Sequence, residues 1–465
     1  MQPSKKFMGV FLLAMMNVSV MVSLRNLPLV AEYGLGAAFL FLLVGITFFV
    51  PVALISAELA TGWPRDGGIY VWVREAFGPF WGFFAVWMQW VHNVTWYPAI
   101  LSFSAATLAI AYKPELATNP TYLFFFVILG FWGFTLFNYF KIRTSTLFSA
   151  FSVVAGTILP GVILILLALL WTLRGDPIQI PLTWQGFIPP FDNIQHLVFL
   201  AGLFLAFGGI EVSAVYARDV ENPKKSFPIA ILTAGFISFI LYTLGSLSIS
   251  VMIPKSEISL LRGLMDAFAS LLGNFGLAWA FVPLALLIVI SALGELNAWI
   301  IGPVQALHAT THNGDLPPVF QKLNKHERPF NLLLFQAIIV TLAAFAFFFL
   351  PTASSAFWIL SAMAAQIYLV MYILLIMSGI KLRYSHPEVE RKYKVPFGKV
   401  GIWILGIIGI AASLFGFFIG FVPPSQLMTG SLAVYETFMI TGIVLMAIIP
   451  YIIFKFRHPR WNPEK

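Results

Sequence analysis

The sequence predicts an all-α integral membrane protein of about twelve transmembrane helices. Three observations predict it. Of 465 residues, 60% are hydrophobic and only 10% charged, against about 45–50% and about 25% in soluble domains. Twelve apolar runs reach the length of roughly 20 residues that a helix needs to cross a bilayer core. The lysines and arginines fall almost wholly into alternate loops. A mean hydropathy of +0.90 and 47 phenylalanines exclude a disordered chain, a nucleic-acid-binding domain and a secreted disulfide scaffold. With no cysteine, thiol chemistry, iron–sulfur clusters and cysteine zinc sites are excluded as well. The net charge of +8 then reads as topology rather than as a partner.

The runs, numbered here as spans 1–12, lie at about 7–31, 36–60, 80–112, 120–139, 147–173, 196–217, 228–253, 275–310, 330–350, 353–380, 401–421 and 432–455. Span 1 is too long for the apolar core of a signal peptide and has no small-residue cleavage site after it, so it reads as a retained helix. Arg65 and Arg74 separate spans 2 and 3, and Lys113 follows span 3. Lys141 and Arg143 separate spans 4 and 5. Arg174 and a Pro- and aromatic-rich outer loop, 175–195, follow span 5. Arg218, Lys224 and Lys225 precede span 7; Lys255 and Arg262 follow it. Lys322, Lys325 and Arg328 lie between spans 8 and 9, and a basic linker, 381–400, joins spans 10 and 11. Lys455, Arg457, Arg460 and Lys465 close the chain, as Lys5 and Lys6 open it.

Twelve spans place both termini on one side. Of 27 Lys and Arg, 22 lie on that side, four (Lys113, Arg174, Lys255, Arg262) on the other, and Arg25 inside a span. Positive loops stay inside, so both termini are expected in the cytoplasm of a cell whose plasma (inner) membrane holds the protein. No polar stretch exceeds roughly 20 residues, which predicts a single transmembrane domain without an appended soluble one.

Two spans carry interruptions. In span 1, Arg25, Asn26 and Pro28 follow one another closely; Pro28 lacks an N–H and its ring crowds the carbonyl at Leu24. In span 6, Gly208-Gly209 loosens the helix and Glu211 follows. Transporters place substrate at such breaks near mid-membrane. A glycine pair also serves close helix packing, and Pro28 alone makes a kink. Spans 1 and 6 each open a group of five, so the two breaks together suggest inverted repeats at 7–174 and 196–380, with two further helices at 401–455.

Four stretches carry a resemblance. Thr61-Gly62-Trp63-Pro64-Arg65-Asp66-Gly67-Gly68-Ile69-Tyr70, with Phe77-Gly78-Pro79-Phe80-Trp81-Gly82-Phe83 after it, resembles the loop after helix 2 of the amino acid–polyamine–organocation superfamily. Glu221-Asn222-Pro223-Lys224-Lys225-Ser226-Phe227-Pro228 and 383–396 are similar to its segments after helices 6 and 10. Gly294-Glu295-Leu296-Asn297-Ala298-Trp299-Ile300-Ile301-Gly302-Pro303 resembles helix 8 of its glutamate/GABA antiporter branch. The resemblance implies the LeuT-type arrangement of two inverted five-helix repeats plus two helices, with helices 1 and 6 discontinuous. It implies amino-acid transport, commonly by exchange. Two departures stand out. The chain stops at Lys465 without the C-terminal plug of the acid-resistance antiporter, which predicts transport at neutral pH. Arg25 stands where relatives show a glycine-rich or aromatic break.

The candidate substrate contacts are the backbone groups of Val22, Ser23 and Leu24 in the first break and of Gly208, Gly209 and Ile210 in the second, which suit a ligand's carboxylate and ammonium. Glu211 and Glu295 lie well inside spans, where a charge needs a partner, a proton or water. Each is either a structural pair, with Arg25 as a candidate partner, or a proton-binding or substrate-facing acid. Arg25 either pairs with one of them or clasps a substrate carboxylate. His92 is a titrating candidate or a packing residue. The resemblance adds Asn93 as a polar contact and Trp299 and Leu205 as gates. Trp299 shares a helix face with Glu295. Helix 8 shows no hydroxyl pair after Trp299, so protons or plain exchange are expected rather than sodium. No nucleotide loop, HExxH or catalytic triad argues for an enzyme, and neither cofactor nor metal is expected. The expected function is amino-acid antiport with acidic or neutral substrates. The alternatives are a proton-coupled amino-acid or polyamine symporter, or a channel or sensor on the same scaffold. A homodimer is left open.

Overall fold

Lipid offers the backbone no hydrogen bonds, so a chain this apolar must satisfy its own amides within helices. The computed structural model describes residues 9–65, 67–140, 151–181, 183–189, 191, 193–212, 220 and 222–462. Among them, eleven helices are long and apolar enough to cross a membrane: Leu13–Ala31, Gly36–Gly62, Pro79–Tyr112, Pro120–Phe137, Phe151–Leu173, Lys224–Met252, Ala278–Asn313, Phe330–Phe349, Ala353–Ser385, Gly398–Ile419 and Leu432–Lys455. Each falls on an expected run. Span 6 differs: a shorter apolar helix, Leu200–Val212, stands there, and positions 213–217 lie outside the described residues. So do 7–8 of span 1, 147–150 of span 5, Asp66 and Glu221 of the motifs, and Lys5, Lys6, Lys141, Arg143, Arg218 and Lys465 of the charge count.

Spans 3, 8 and 10 pack against one another at the centre of the bundle. In the apolar windows of spans 3 and 10, 83% of residues are buried, against 17% in span 12; span 12 therefore lies at the edge of the bundle. Spans 2 and 5 each widen into a π-turn, Gly45–Phe49 and Val154–Ile158, two residues before Pro51 and Pro160. The wider turn makes room for a ring that has no N–H to give and would otherwise strike the preceding turn.

The basic linker after span 10 is fastened to the end of span 2. Glu58 accepts from Arg383, whose Nε lies 2.7 Å from Oε1 and whose Nη2 reaches Oε2. It also accepts from the Val395 amide at 2.7 Å, and the Arg391 guanidinium stands 3.4 Å away. Arg391 in turn lies over the Trp63 ring at 5.0 Å. A buried carboxylate met by two guanidiniums and an amide has its charge matched and its lone pairs filled. On the same face, Arg457 reaches Asp315 at 3.3 Å and the Gln321 amide donates to the Trp461 carbonyl, so the segment after span 12 rests on the loop between spans 8 and 9. On the opposite face, the Gln179 amide donates to the Val251 carbonyl at 2.9 Å and pins the loop 175–195 to the end of span 7.

Candidate functional site

Span 1 is discontinuous. Helix Val10–Met21 stops, Val22 and Ser23 are extended at φ −94° and −129°, and a short turn, Leu24–Asn26, leads into helix Leu27–Ala31. Pro28 is the second residue of that new helix, where a missing N–H costs nothing because first-turn amides have no helical partner. Pro28 thus starts the second half-helix, and the break itself sits about five residues earlier. A side chain from span 7 fills it. Tyr242 Oη accepts from the Ser23 amide at 3.0 Å and donates to the Met21 carbonyl at 2.6 Å, with the Asn26 amide at 3.4 Å.

Span 6 also stops short. Helix Leu200–Ala206 ends at Phe207, and the Gly208 amide bonds back to Leu205 at 3.0 Å. Gly209 has φ +101°, and a Cβ there would lie 2.5 Å from Val20 Cγ1 and 2.8 Å from the Trp299 ring. Only glycine fits both the backbone and the space. The Gly209 amide donates to Tyr372 Oη of span 10 at 2.7 Å. Tyr372 donates to Glu211 Oε2 at 2.7 Å, while Tyr368, one turn earlier, and Gln89 both donate to Oε1. Each break is therefore closed by a tyrosine hydroxyl from a distant span.

Between the two breaks lies a small central cavity. Val20, Met21, Arg25 and Asn26 of span 1 line it, with His92 and Trp96 of span 3, Leu205 and Gly208 of span 6, Glu295 and Trp299 of span 8, and Tyr368 of span 10. Its free volume, about 20 Å³, holds a water or two, so the side chains have closed over it. Arg25 is 2% exposed, and its Nε and Nη1 have no hydrogen-bond partner. Its guanidinium stands 5.0 Å from the Trp96 ring and 6.0 Å from Phe357, a cation–π setting. Among the described residues it forms no ion pair with either intramembrane glutamate. Glu295 is the carboxylate whose charge it feels, and Glu295 also sits beside the Ser23 side chain. His92 Nδ1 lies 3.0 Å from the Ala364 carbonyl, and its ring stacks on Tyr368 at 3.9 Å. That bond leaves Nε2 as the other ring nitrogen.

The structure thus brings Arg25, Glu295, Trp299, His92, Leu205 and Gly208 around one cavity. Ser23 and Leu24 line a smaller pocket on the far side of Glu295. Val22 and Ile210 are buried beside the breaks. Two expected residues lie elsewhere. Asn93 is buried, with its amide bonded to the Gln89 carbonyl at 2.8 Å, and it does not line the cavity. It follows His92 by one position, about 100° round the helix, so the two cannot face the same space. Glu211 opens instead into a cavity of about 160 Å³ together with Gly67, Gln89, Gly302 and Ala306. Sequence reasoning missed Tyr242, Tyr368, Tyr372, Gln89 and Trp96. The pair Tyr368 and Tyr372, four apart in an otherwise apolar helix, was the one signal available.

The pattern of the amino acid permease family matches residues 8–448. The chain is 38% identical to an uncharacterized transporter of Legionella pneumophila over 98% of both chains. It is 32% identical to a glutamate/gamma-aminobutyrate antiporter of Lactococcus lactis, over 98% of this chain and 92% of that one. A probable agmatine/putrescine antiporter of the same species is 26% identical over 79% of this chain and 77% of that one. Broken span, buried central cavity and matches along nearly the whole sequence agree: the chain belongs to the amino acid permease family of the amino acid–polyamine–organocation superfamily, a family of transporters and not of enzymes.

Proposed function

We propose that the protein exchanges amino acids with acidic or neutral side chains across the plasma membrane by alternating access, in the manner of a glutamate/γ-aminobutyrate antiporter. The observation that carries this reading is Arg25: a buried guanidinium with two unpartnered nitrogens, set between the two helix breaks. Buried guanidinium N–H groups without acceptors are costly, and a substrate carboxylate is the group that relieves them. The relatives support the substrate class. In this reading spans 1–5 and 6–10 form two inverted repeats, spans 11 and 12 are additional, span 6 resumes beyond its break, and both termini are cytoplasmic. Trp299 and Leu205 gate the cavity.

Glu211, against its own cavity, favours one variant of this reading, in which a proton is carried with the substrate. Counterflow into proteoliposomes with a panel of labelled amino acids tests both. Uptake that needs substrate on both faces, and that glutamate or γ-aminobutyrate drives, is the expected result. Uptake without internal substrate but driven by a pH gradient selects the proton-coupled variant. Uptake with neither requirement refutes exchange and selects a channel.

A further inference from the structure

A second pocket lies at the other end of the half-helix Leu27–Ala31, outside the central cavity. It occupies about 190 Å³, below the range of about 300–1,000 Å³ that suits drug-sized ligands. Two charges of opposite sign face it from separate elements. Glu32 follows the half-helix directly, and Lys255 opens the turn Lys255–Glu257 after span 7. Glu32 is 5% exposed, yet its Oε2 is buried without a hydrogen-bond partner, and the two charges form no ion pair. Apart from the Tyr33 and Ser250 hydroxyls, the rest of the wall is apolar: Leu35, Ile180, Pro181, Ile253 and Ile258. Gly34 and Gly186 present no side chain to it, and the Ser250 hydroxyl is already committed to the Ala31 and Ser246 carbonyls. Ile180, Pro181 and Gly186 come from the loop 175–195, which nothing in the central site uses.

We propose that this pocket binds a small zwitterionic amino acid with an aliphatic side chain, its ammonium on Glu32 and its carboxylate on Lys255. The argument is one of charge and shape. Lys255 is exposed, so a metal ion or a simple amine would answer Glu32 but leave the Lys255 charge to water and gain nothing from it. An inorganic anion would leave Glu32 buried and unpaired. A ligand carrying both charges a short distance apart satisfies both at once through charge-assisted hydrogen bonds, and its side chain meets the isoleucines and the proline. Burial pushes the Glu32 carboxyl up to about 7, with Lys255 pulling it back. The other titratable groups facing it across the pocket are Lys255 and Tyr33. Occupancy fastens the outer half of span 1 to the turn after span 7, next to the existing bond from Ser250 to Ala31.

The test is a titration of the full-length protein in lipid nanodiscs with L-leucine at about pH 8, read by calorimetry. Leucinamide and 4-methylpentanoate, each with one charge removed, serve as controls. Leucine is expected to bind saturably. Each control, and each of Glu32→Gln and Lys255→Gln, should weaken binding about tenfold or more, as loss of a charge-assisted contact does. Gly186→Phe, whose Cβ meets nothing closer than 3.7 Å, should fill the pocket and abolish binding while both charges remain. Lowering the pH to about 6 should weaken binding as Glu32 takes up a proton. Glutamate binding in the central cavity should persist in Glu32→Gln, Lys255→Gln and Gly186→Phe, at positions that do not line that cavity. Leucine binding lost in Trp299→Ala but kept in Glu32→Gln would place leucine in the central cavity and overturn the proposal. So would an absence of binding, or stability losses in Glu32→Gln and Lys255→Gln that cancel in the double variant with no effect of leucine, the mark of a plain ion pair. The outward position of the pocket rests on the orientation proposed above. Binding in nanodiscs does not, because both faces are open there, so the two readings fail separately.

Discussion

Arg25→Lys separates the two roles open to the buried guanidinium. Lysine keeps the charge but offers a single ammonium in place of a planar fork. Arg25 has two nitrogens without partners and lies over Trp96. A substrate carboxylate held by two charge-assisted hydrogen bonds should lose one of them in the variant. Such a bond is worth about 1.5–3 kcal/mol, so affinity should fall by about ten- to a hundred-fold. The assay is binding of labelled glutamate to purified protein, with the apparent melting temperature measured beside it. A clasp lowers affinity and leaves melting nearly unchanged, since no charge has been removed. The structural alternative behaves differently. Arg25→Gln would then lower melting by leaving Glu295 unneutralised, and adding Glu295→Gln would restore part of it. Unchanged glutamate affinity in Arg25→Lys would refute the clasp. So would efficient exchange of arginine by the wild type, because a cationic side chain would meet Arg25 in a medium of low dielectric.

The other predictions concern the breaks, Trp299 and Glu32. Gly209→Ala should reduce exchange at least about tenfold, since it adds strain of about 1–2 kcal/mol at φ +101° and drives a methyl into Val20 and Trp299; wild-type exchange would show that the break relaxes freely. Tyr372→Phe should lower stability by about 1–3 kcal/mol, because it strips a hydrogen bond from both Glu211 and the Gly209 amide; a melting curve identical to wild type would count against it. Trp299→Ala should fold and yet exchange slowly, and an unaltered exchange rate would reduce Trp299 to packing. Glu32→Gln should stabilise the protein at about pH 8 and do nothing at about pH 4. The folded carboxyl is raised to about 7, so the native state binds the extra proton and stability falls as pH rises from the ordinary carboxylate range through 7. Removing that loss is worth up to about 3 kcal/mol, and a pH-independent effect would contradict the burial argument.

Most of the bundle was legible because hydropathy over some 20 residues is a local quantity, fixed by the bilayer's thickness. The disturbance in span 1 was legible for a related reason: Arg25, Asn26 and Pro28 are visibly out of place in an apolar run. Its place, at Val22, Ser23 and Leu24, was legible too, but not what holds it open. Val22 and Ser23 carry no breaking signal of their own, and they unwind because Tyr242, 219 residues from Ser23, supplies what the helix would have supplied. The same holds at Gly209 with Tyr372, 163 residues away. His92 and Asn93 looked equivalent in the sequence, because which of two neighbours faces a cavity depends on the helix's rotation against spans 8 and 10. Arg25 could not be paired or left unpaired by reading alone, since that is decided by distances between spans.

The two tyrosines change what occupancy of the breaks would mean. The Ser23 and Gly209 amides are already bonded, to Tyr242 and Tyr372. A ligand that takes either amide must displace a phenol, so it binds by substitution. The net gain is then the difference between two hydrogen bonds of similar strength, which keeps affinity modest and lets the ligand leave quickly. Each tyrosine also returns to its amide once the ligand has gone, so the unwound backbone is never left bare inside the membrane. For a carrier, whose output depends on letting go as much as on holding, a built-in competitor of this kind sets turnover as directly as any gate.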